Sequence, residues 1–451
     1  MDIRFFNCTI LTMKDKDNGE LISPFKGEVW VCGNRIHKVI NLEDNSNSNI
    51  DIIDESRDEP QSPSDKIHFD REIDLKGNLV MPGFKDAHTH SPMTFLRSMA
   101  DDLPLREWLN NVIFPMEKKL VPDDVYYFTK IAVMEYLSSG ITSVFDMYFY
   151  QNYVAKAFID CGIRGVLCSP LNDFTENPEI MAKNYEYYNN SNPLISYKLG
   201  FHAQYTTSNE LLKEVAHYAN HYKTGVFCHN SETKSEVESC ILANGVTPTK
   251  HMDNMGLFNY GGGGFHCNYL RDEDVRIYKN HGLSIISNPA SNAKLASGIA
   301  PLKHYIESGI ATENIALGTD GPASNNALDM FREMYLAAVL AKLKCEDACT
   351  IDATTILKMA TLGGAKTMGL DNCMYVLPGQ LADLIVLDIS KPNMQPNNNL
   401  TKSIVYCGGK HNVVLTMIDG KILYENGTYH IDDTPEYIYM KANESMKHII
   451  Q

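Results

Sequence analysis

The feature that most constrains the fold is a long alternation of short apolar runs with amphipathic segments of helical length, between about residues 79 and 370. Runs such as ITSVFDM, YKLGFHA and GGFHC are separated by stretches such as SNELLKEVAHYANHY. This alternation predicts parallel strands joined by helices. Over this length it favours a closed (β/α)8 barrel over an open sheet. We therefore predict an α/β fold built on such a barrel.

The two ends of the chain have the texture of β-strands. DIRFFNCTILTM and GEVWVCGNRIHKVI precede the alternating region, and ADLIVLDI and NVVLTMIDGKILYENGTY follow it. We predict that they combine into one small composite β-sandwich, with residues 1–78 and 371–430 as its two parts. The barrel is then 79–370, and a terminal helix covers 431–451. The polar segment at about 41–69 is predicted to be a mobile insertion between strands.

Charge and composition narrow the classes of partner. The chain has 56 acidic and 40 basic residues, and its formal charge of -16 repels nucleic acid and anionic membrane surfaces. Its 11 cysteines include no CxxC pair, so neither a disulfide framework nor a cysteine zinc cluster is indicated. The N-terminal segment lacks the pattern of a secretory signal, and no apolar run is long enough to span a bilayer. We therefore predict a cytoplasmic protein that acts on a small molecule.

Polar residues end several of the predicted barrel strands. His88 and His90 stand two apart, and residues two apart on a strand project from one face. The later runs end in His202, His229, His266 and Asp320. Each histidine alone is more often structural, but catalytic residues of a barrel lie at the carboxyl ends of its strands. Imidazoles with one carboxylate suit zinc, or another borderline ion such as iron. Together they predict a metal site.

A metal held by such residues makes hydroxide available near neutral pH, which predicts a hydrolytic enzyme. Asp320 is a candidate to orient the attacking water and accept its proton. Glu232, three residues after His229, is a candidate to give a proton to the leaving group. On spacing alone, Glu232 is explained equally well as an acid at a helix N-terminus.

Five motifs carry a resemblance to a known family. PGFKDAHTH, HNSETKSEVESC, FHCNYL, SNPASNAKLASGIAP and LGTDGPASNNALDMF occur in this order. They resemble the amidohydrolase superfamily, and most closely its 5-methylthioadenosine/S-adenosylhomocysteine deaminases. The similarity covers almost the whole chain except the segment near 41–69. It implies one divalent metal ion, Zn²⁺ or Fe²⁺, and hydrolytic deamination of methylthioadenosine, S-adenosylhomocysteine or adenosine. It also implies a homodimer or homotetramer.

The resemblance also implies roles for individual residues. It assigns the metal to four ligands, His88, His90, His229 and Asp320. Glu232 would protonate the purine ring while Asp320 and His266 handle the attacking hydroxide.

The substrate contacts implied by the resemblance are Trp108, Glu117 and His202. Trp108 would line the pocket, and Glu117, in the sequence PME, would bind the ribose hydroxyls. A carboxylate can accept both hydrogen bonds of a vicinal diol. Without the resemblance, a solvated helix acid is the simpler explanation of Glu117.

One departure from the family concerns an arginine between the third and fourth strands that helps to bind substrate. The segment CSPLNDFTENPEIMAKNYEYYNN contains no arginine, and Lys183 offers only a point charge in its place. A zwitterionic homocysteine tail would lose a partner for its carboxylate. We therefore predict a preference for methylthioadenosine or adenosine over S-adenosylhomocysteine.

Three other functions remain open from the sequence. Deaminases of a free base such as guanine and s-triazine amino- or chlorohydrolases share the same histidine and aspartate skeleton, but Glu117 favours a ribose. An inactive scaffold relative would lack metal ligands, whereas every expected position is filled.

Overall fold

The computed structural model describes residues 1–43, 68–99, 101–175 and 177–450. The insertion predicted at about 41–69 lies almost wholly outside these described residues. Within them, no helix is both long enough and apolar enough to cross a membrane.

The structure is built from strands and helices that alternate through the centre of the chain. The strands are β1 (Ile3–Ile10), β2 (Phe25–Cys32), β3 (Arg35–Asn41), β4 (Arg71–Asp74), β5 (Leu79–Pro82), β6 (Phe84–Thr89), β7 (Ile141–Met147), β8 (Arg164–Cys168), β9 (Ile195–Ala203), β10 (Val226–Asn230), β11 (Gly262–His266), β12 (Ser284–Ser287), β13 (Ile315–Leu317), β14 (Leu384–Leu387), β15 (Val413–Ile418), β16 (Lys421–Glu425) and β17 (Thr428–Tyr429).

The α-helices are α1 (Leu105–Trp108), α2 (Phe114–Glu117), α3 (Pro122–Ser138), α4 (Gln151–Cys161), α5 (Pro178–Ser191), α6 (Asn209–Tyr222), α7 (Lys234–Asn244), α8 (Pro248–Asn254), α9 (Asp272–His281), α10 (Pro289–Lys294), α11 (Leu302–Glu307), α12 (Pro322–Asn325), α13 (Met330–Cys345), α14 (Ala353–Lys358), α15 (Gly364–Met368), α16 (Leu400–Tyr406) and α17 (Pro435–Ile450). Two π-helical turns, Leu109–Ile113 and Met359–Gly363, join α1 to α2 and α14 to α15.

Strands β6 to β13 form one eight-stranded sheet in chain order, and each neighbouring pair is parallel. Beyond the end of β13, the backbone N–H of Asp320 donates to the carbonyl of His88, 2.9 Å away, so the last strand returns to the first. Buried side chains such as Phe145, Phe227 and Phe265 fill the interior. The predicted (β/α)8 barrel is confirmed.

The remaining strands form one mixed nine-stranded sheet. Strand β5 lies at its centre, parallel to β1 from the N-terminal segment and antiparallel to β14 from the C-terminal segment. The prediction that the two ends of the chain combine is therefore confirmed. The boundaries proposed at 78/79, 370/371 and 430/431 stay predictions.

A buried ion pair links the barrel to this sheet. Arg164, at the start of β8, donates from Nε and Nη2 to the two carboxylate oxygens of Asp383, just before β14, over 2.7 and 3.0 Å. Their side chains are 4% and 0% exposed. Although burial opposes ionisation, the guanidinium holds the pKa of Asp383 below its usual value. A charged pair therefore lies at the junction.

We expect Asp383→Ala to destabilise the protein strongly, because the buried Arg164 guanidinium loses its bidentate partner and keeps only Asp419, 3.6 Å away. Removing one partner of a buried ion pair costs about 3–5 kcal/mol. The urea midpoint, measured at equal metal content, checks this. Glu313→Ala, which removes an exposed pair with Lys366 at 3.0 Å, is the control. It should cost no more than about 1 kcal/mol. Equal shifts in the two variants would contradict the prediction.

Candidate active site

Polar side chains from five strands of the barrel converge at its carboxyl end. The strands are β6, β9, β10, β11 and β13. The side chains within them or just after them are His88, His90, His202, His229, His266 and Asp320. The ring centroid of His88 lies 4.8 Å from that of His90 and 4.9 Å from that of His229. The ring of His202 is also 4.9 Å from His229. The convergence expected of a barrel is therefore present.

The arrangement contains two overlapping groups that could hold a metal ion. One is His88, His229 and His266, and the other is His88, His90 and Asp320, each with ligand atoms within 4.8 Å of one another. Oδ1 of Asp320 lies 3.3 Å from Nε2 of His90 and 3.6 Å from Nε2 of His88. The geometry thus places His266 close to the four ligands implied by the resemblance.

His88 provides the clearest test of whether these residues fit a metal. Its side chain is fully buried, and neither ring nitrogen has a hydrogen-bond partner within the described residues. Buried polar atoms are normally paired, because an unpaired one costs free energy. A metal ion would satisfy one of these two nitrogens, so the side chains fit such an ion.

Partners on the far side of the other imidazoles set their orientation. Nδ1 of His229 contacts the carbonyl of His202, and Nδ1 of His266 contacts Oδ1 of Asn292, both over 2.7 Å. Nδ1 of His90 contacts the carbonyl of Met147. Each contact leaves Nε2 free to face the centre, as is usual for histidine ligands.

The charges of the site also suit a cation. Burial lowers the pKa of His88 to about 3 and, together with the neighbouring imidazoles, lowers that of His229 well below its usual value. Both are therefore neutral, which is the form that binds metals. Burial would raise the pKa of Asp320, but the imidazoles of His88 and His90 hold it well below its usual value. Burial likewise opposes charge on His90, yet Asp320 raises the pKa of His90 to about 9. The Asp320 carboxylate therefore favours positive charge at the centre of the histidine cluster.

The position of Asp320 depends on local backbone features. Asp320 has φ 58° and His266 has φ 70°, in the left-handed region that non-glycine residues occupy mainly at turns and functional sites. A Cβ at Gly318 would lie 2.7 Å from the backbone nitrogen of His88, so only glycine lets this segment approach β6. The sequence signal for this approach is the G of LGTD, which was not among the predicted site residues.

Two serines hold the second carboxylate oxygen of Asp320. The hydroxyls of Ser291 and Ser324 donate to Oδ2 over 2.5 and 3.0 Å. Ser291 lies in the motif SNPASNAK and Ser324 in GTDGPASNN, but neither was among the predicted site residues. They leave Oδ1 directed at the imidazoles.

Glu232 follows β10 and is buried beside His266. Its Oε1 accepts a hydrogen bond from the hydroxyl of Ser297 over 2.8 Å, and its Oε2 lies 3.9 Å from Nε2 of His266. Burial raises the pKa of Glu232. The capping acid of α7 is Glu236, which pairs with Thr233, so the alternative explanation of Glu232 as a helix N-terminal acid does not describe its side chain.

Trp108 and Glu117 lie on either side of the π-helical turn Leu109–Ile113, within a helical segment that follows β6. Nε1 of Trp108 and Oε1 of Glu117 are buried, and neither has a hydrogen-bond partner within the described residues. Burial raises the pKa of Glu117 to about 7. These atoms are available to a polar ligand.

His202, in β9, is the remaining residue predicted to contact substrate. Its Nδ1 pairs with the hydroxyl of Thr206 over 2.9 Å, and burial lowers its pKa to about 4. It is therefore a neutral imidazole beside His229.

Comparisons with known proteins agree with this arrangement. The family model described as amidohydrolase family matches residues 79–423. A 5-methylthioadenosine/S-adenosylhomocysteine deaminase of Thermoanaerobacter pseudethanolicus is 40% identical over 393 residues, which is 85% of this chain and 90% of that protein. One of Caldicellulosiruptor saccharolyticus is 34% identical and covers 100% of this chain and 99% of its own.

A solved structure is similar over the whole chain. It is an adenosine deaminase from Xanthomonas campestris with bound zinc, 29% identical, with a TM-score of 0.87. The alignment covers 100% of this chain and 98% of that one.

Proposed function

The chain belongs to the amidohydrolase family and is a metal-dependent aminohydrolase, and we propose that it deaminates a 5'-substituted adenosine. The products are the inosine analogue and ammonia. The observation that carries the proposal is the carboxylate of Glu117, whose buried Oε1 has no hydrogen-bond partner within the described residues and whose pKa, raised by burial, is partly lowered again by the nearby His90. The names of the relatives that span most of the chain support the same substrates.

We infer that His88, His90, His229 and Asp320 hold one divalent ion, with zinc preferred over iron. The imidazole and carboxylate donors favour a borderline ion of this kind. When bound, such an ion polarises water and lowers its pKa towards neutrality.

The side chains of the protein then move the protons. Asp320, held through Oδ2 by two serines, orients the water that attacks C6 of the adenine ring and accepts its proton. His266 lies between the two acids, because its Nε2 is 4.0 Å from Oδ2 of Asp320 and 3.9 Å from Oε2 of Glu232.

Glu232 supplies the proton that the ring requires. Its burial favours the protonated acid, which gives its proton to the ring nitrogen beside C6 as the water attacks. The proton held by Asp320 then passes to the amino group on the tetrahedral carbon, which leaves as ammonia, and the C6 hydroxyl returns a proton to Glu232 as the carbonyl forms. Because a raised pKa keeps a carboxyl protonated closer to neutrality, burial suits Glu232 to this role.

The proposed contact of Glu117 with a ribose favours a nucleoside substrate over a free base or an s-triazine, whose hydrolases share the same histidine and aspartate residues. A free base or an s-triazine has no vicinal diol for Glu117, whose buried Oε1 would stay unpaired. Trp108 and His202 complete the proposed contacts with the nucleoside.

The 5' substituent is expected to be small or neutral. The segment SPLNDFTENPEIMAKNYEYYNN contains no arginine, and Lys183 is exposed on α5. Neither offers the fork of donors that a substrate carboxylate prefers. We propose methylthioadenosine or adenosine ahead of S-adenosylhomocysteine, and a ratio of kcat/KM that clearly favours S-adenosylhomocysteine would refute this order.

Glu117→Gln tests the proposed diol contact. We expect KM for adenosine to rise about 10- to 100-fold, as for loss of a hydrogen bond to a charged group. The kcat/KM for 2',3'-dideoxyadenosine should stay unchanged, since this compound has no diol to bind. Glu107→Gln, an exposed acid on α1, is the control. Equal losses for both nucleosides, or no loss for either, would remove the diol from the account.

The assembly and location follow from the resemblance and the composition. We propose a homodimer or homotetramer in the cytoplasm. Sedimentation of the purified protein tests the first, and a monomer would refute it.

A further inference from the structure

Tyr148 follows β7 directly and is not used by the mechanism above. Its side chain is 2% exposed, and its ring packs against Phe149 at a centroid distance of 4.2 Å. The ring of His90 is 6.5 Å away from that of Tyr148. Tyr148 therefore lies beside the proposed metal site.

The hydroxyl of Tyr148 is buried and has no hydrogen-bond partner within the described residues. A buried phenol hydroxyl normally has a hydrogen-bond partner, because burying it without one costs free energy. Its position near His90 means that a ligand, rather than bulk solvent, can supply the partner.

Tyr148 and Glu117 interact electrostatically. Burial raises the pKa of both groups, the negative charge of Glu117 raises that of Tyr148 further, and the nearby Tyr148 hydroxyl, as a potential hydrogen-bond donor to the carboxylate, lowers that of Glu117. Yet neither Oε1 of Glu117 nor the phenol oxygen has a partner of its own. Two buried oxygens without hydrogen bonds cost free energy, unless a polar ligand forms hydrogen bonds with them.

The chemistry of the two groups is complementary to a vicinal diol. An ionised carboxylate only accepts hydrogen bonds, whereas a phenol can both donate and accept. A diol offers two donors and two acceptors in a fixed arrangement. Glu117 can accept from one hydroxyl of the diol while Tyr148 donates to the other, so the two groups together can pair with both hydroxyls.

We propose that Tyr148 is a second ribose-binding residue. Its hydroxyl donates a hydrogen bond to one oxygen of the vicinal diol, while Glu117 accepts a hydrogen bond from the same diol. This inference rests on the proposed function for the identity of the substrate. It assigns selectivity for ribonucleosides to two elements, the segment that carries Glu117 and the end of β7.

Tyr148→Phe removes the hydroxyl and keeps the ring. We expect KM for adenosine to rise about 3- to 30-fold, with kcat changed by less than about twofold, as for loss of one hydrogen bond in binding. The kcat/KM for 2',3'-dideoxyadenosine should not change. Tyr150→Phe is the matched control, because its ring is 40% exposed and its hydroxyl only approaches the carbonyl of Leu120, at 3.5 Å.

A purely structural role for Tyr148 predicts a different pattern. The variant would then lose activity equally on both nucleosides, or lower kcat and the melting temperature. Either result would overturn the proposal, as would an unchanged KM for adenosine.

Binding of the products separates this inference from the proposed reaction. Calorimetry with inosine and 2',3'-dideoxyinosine needs no turnover. We expect Tyr148→Phe to weaken inosine binding by the same factor and to leave dideoxyinosine unaffected. If the wild-type protein deaminates no nucleoside but shows this pattern, the reaction is wrong and the diol site stands. If inosine does not bind to the wild-type protein, or binds equally well to the variant, the diol site is wrong.

Discussion

Asp320→Asn is expected to abolish turnover and to lower the amount of metal that co-purifies with the protein. Asn is neutral, so the carboxylate that the imidazoles of His88 and His90 hold in its charged form is lost. Nδ2 of Asn would also face the hydroxyls of Ser291 and Ser324, which now donate to Oδ2. Loss of a general base alone costs about 10²- to 10⁴-fold in rate.

The measurements for Asp320→Asn are kcat/KM for adenosine and metal content by mass spectrometry. Asp272→Asn, with a side chain 79% exposed on α9, is the control and should change neither. A variant at position 320 that kept both its metal and its turnover would contradict the role of Asp320.

Glu232→Gln is expected to lose turnover while keeping its metal. Gln can still accept from the hydroxyl of Ser297, so the local packing survives, but it has no acidic proton to give. We expect kcat to fall about 10²- to 10⁴-fold, the usual contribution of a positioned acid. Parallel assays of metal content separate this residue from the ligands.

The control for Glu232→Gln is Glu238→Gln, an acid on α7 with a side chain 60% exposed. It should behave as the wild-type protein. Loss of metal in Glu232→Gln would contradict its assignment as a proton donor.

The sequence predicted the residues that carry local patterns. The pair His88 and His90 follows from strand periodicity, and His229, His266 and Asp320 follow from their places at the ends of apolar runs. The alternation of strands and helices was enough to predict the barrel, because parallel strands require such connections. Strand periodicity and the alternation of strands and helices can both be read from residues that are close together in the sequence.

The residues that were not predicted act through contacts between distant segments. Asn292 and the carbonyl of His202 orient imidazoles on other strands, and Ser291 reaches Asp320 across 29 positions. Tyr148 has the same character, because Glu117, the group that shifts its pKa, lies on another element. Periodicity carries no information about such pairs.

Glu232 shows how the structure separates two explanations that spacing left equal. An acid three residues after a strand-end histidine is typical both of a helix N-terminus and of a catalytic group. In the structure Glu236 caps α7, and the side chain of Glu232 turns towards Ser297 and His266. The difference arises from the tertiary position of the loop.

The most direct test of the central claim is ammonia release by the zinc-loaded protein, with ultraviolet spectra recorded in parallel. Methylthioadenosine, S-adenosylhomocysteine, adenosine, adenine, guanine and cytosine are offered separately. The account predicts rapid release from methylthioadenosine and adenosine, with the spectral change from adenine to hypoxanthine, and slower release from S-adenosylhomocysteine. Turnover of a free base alone, or of none of the six compounds, would contradict it.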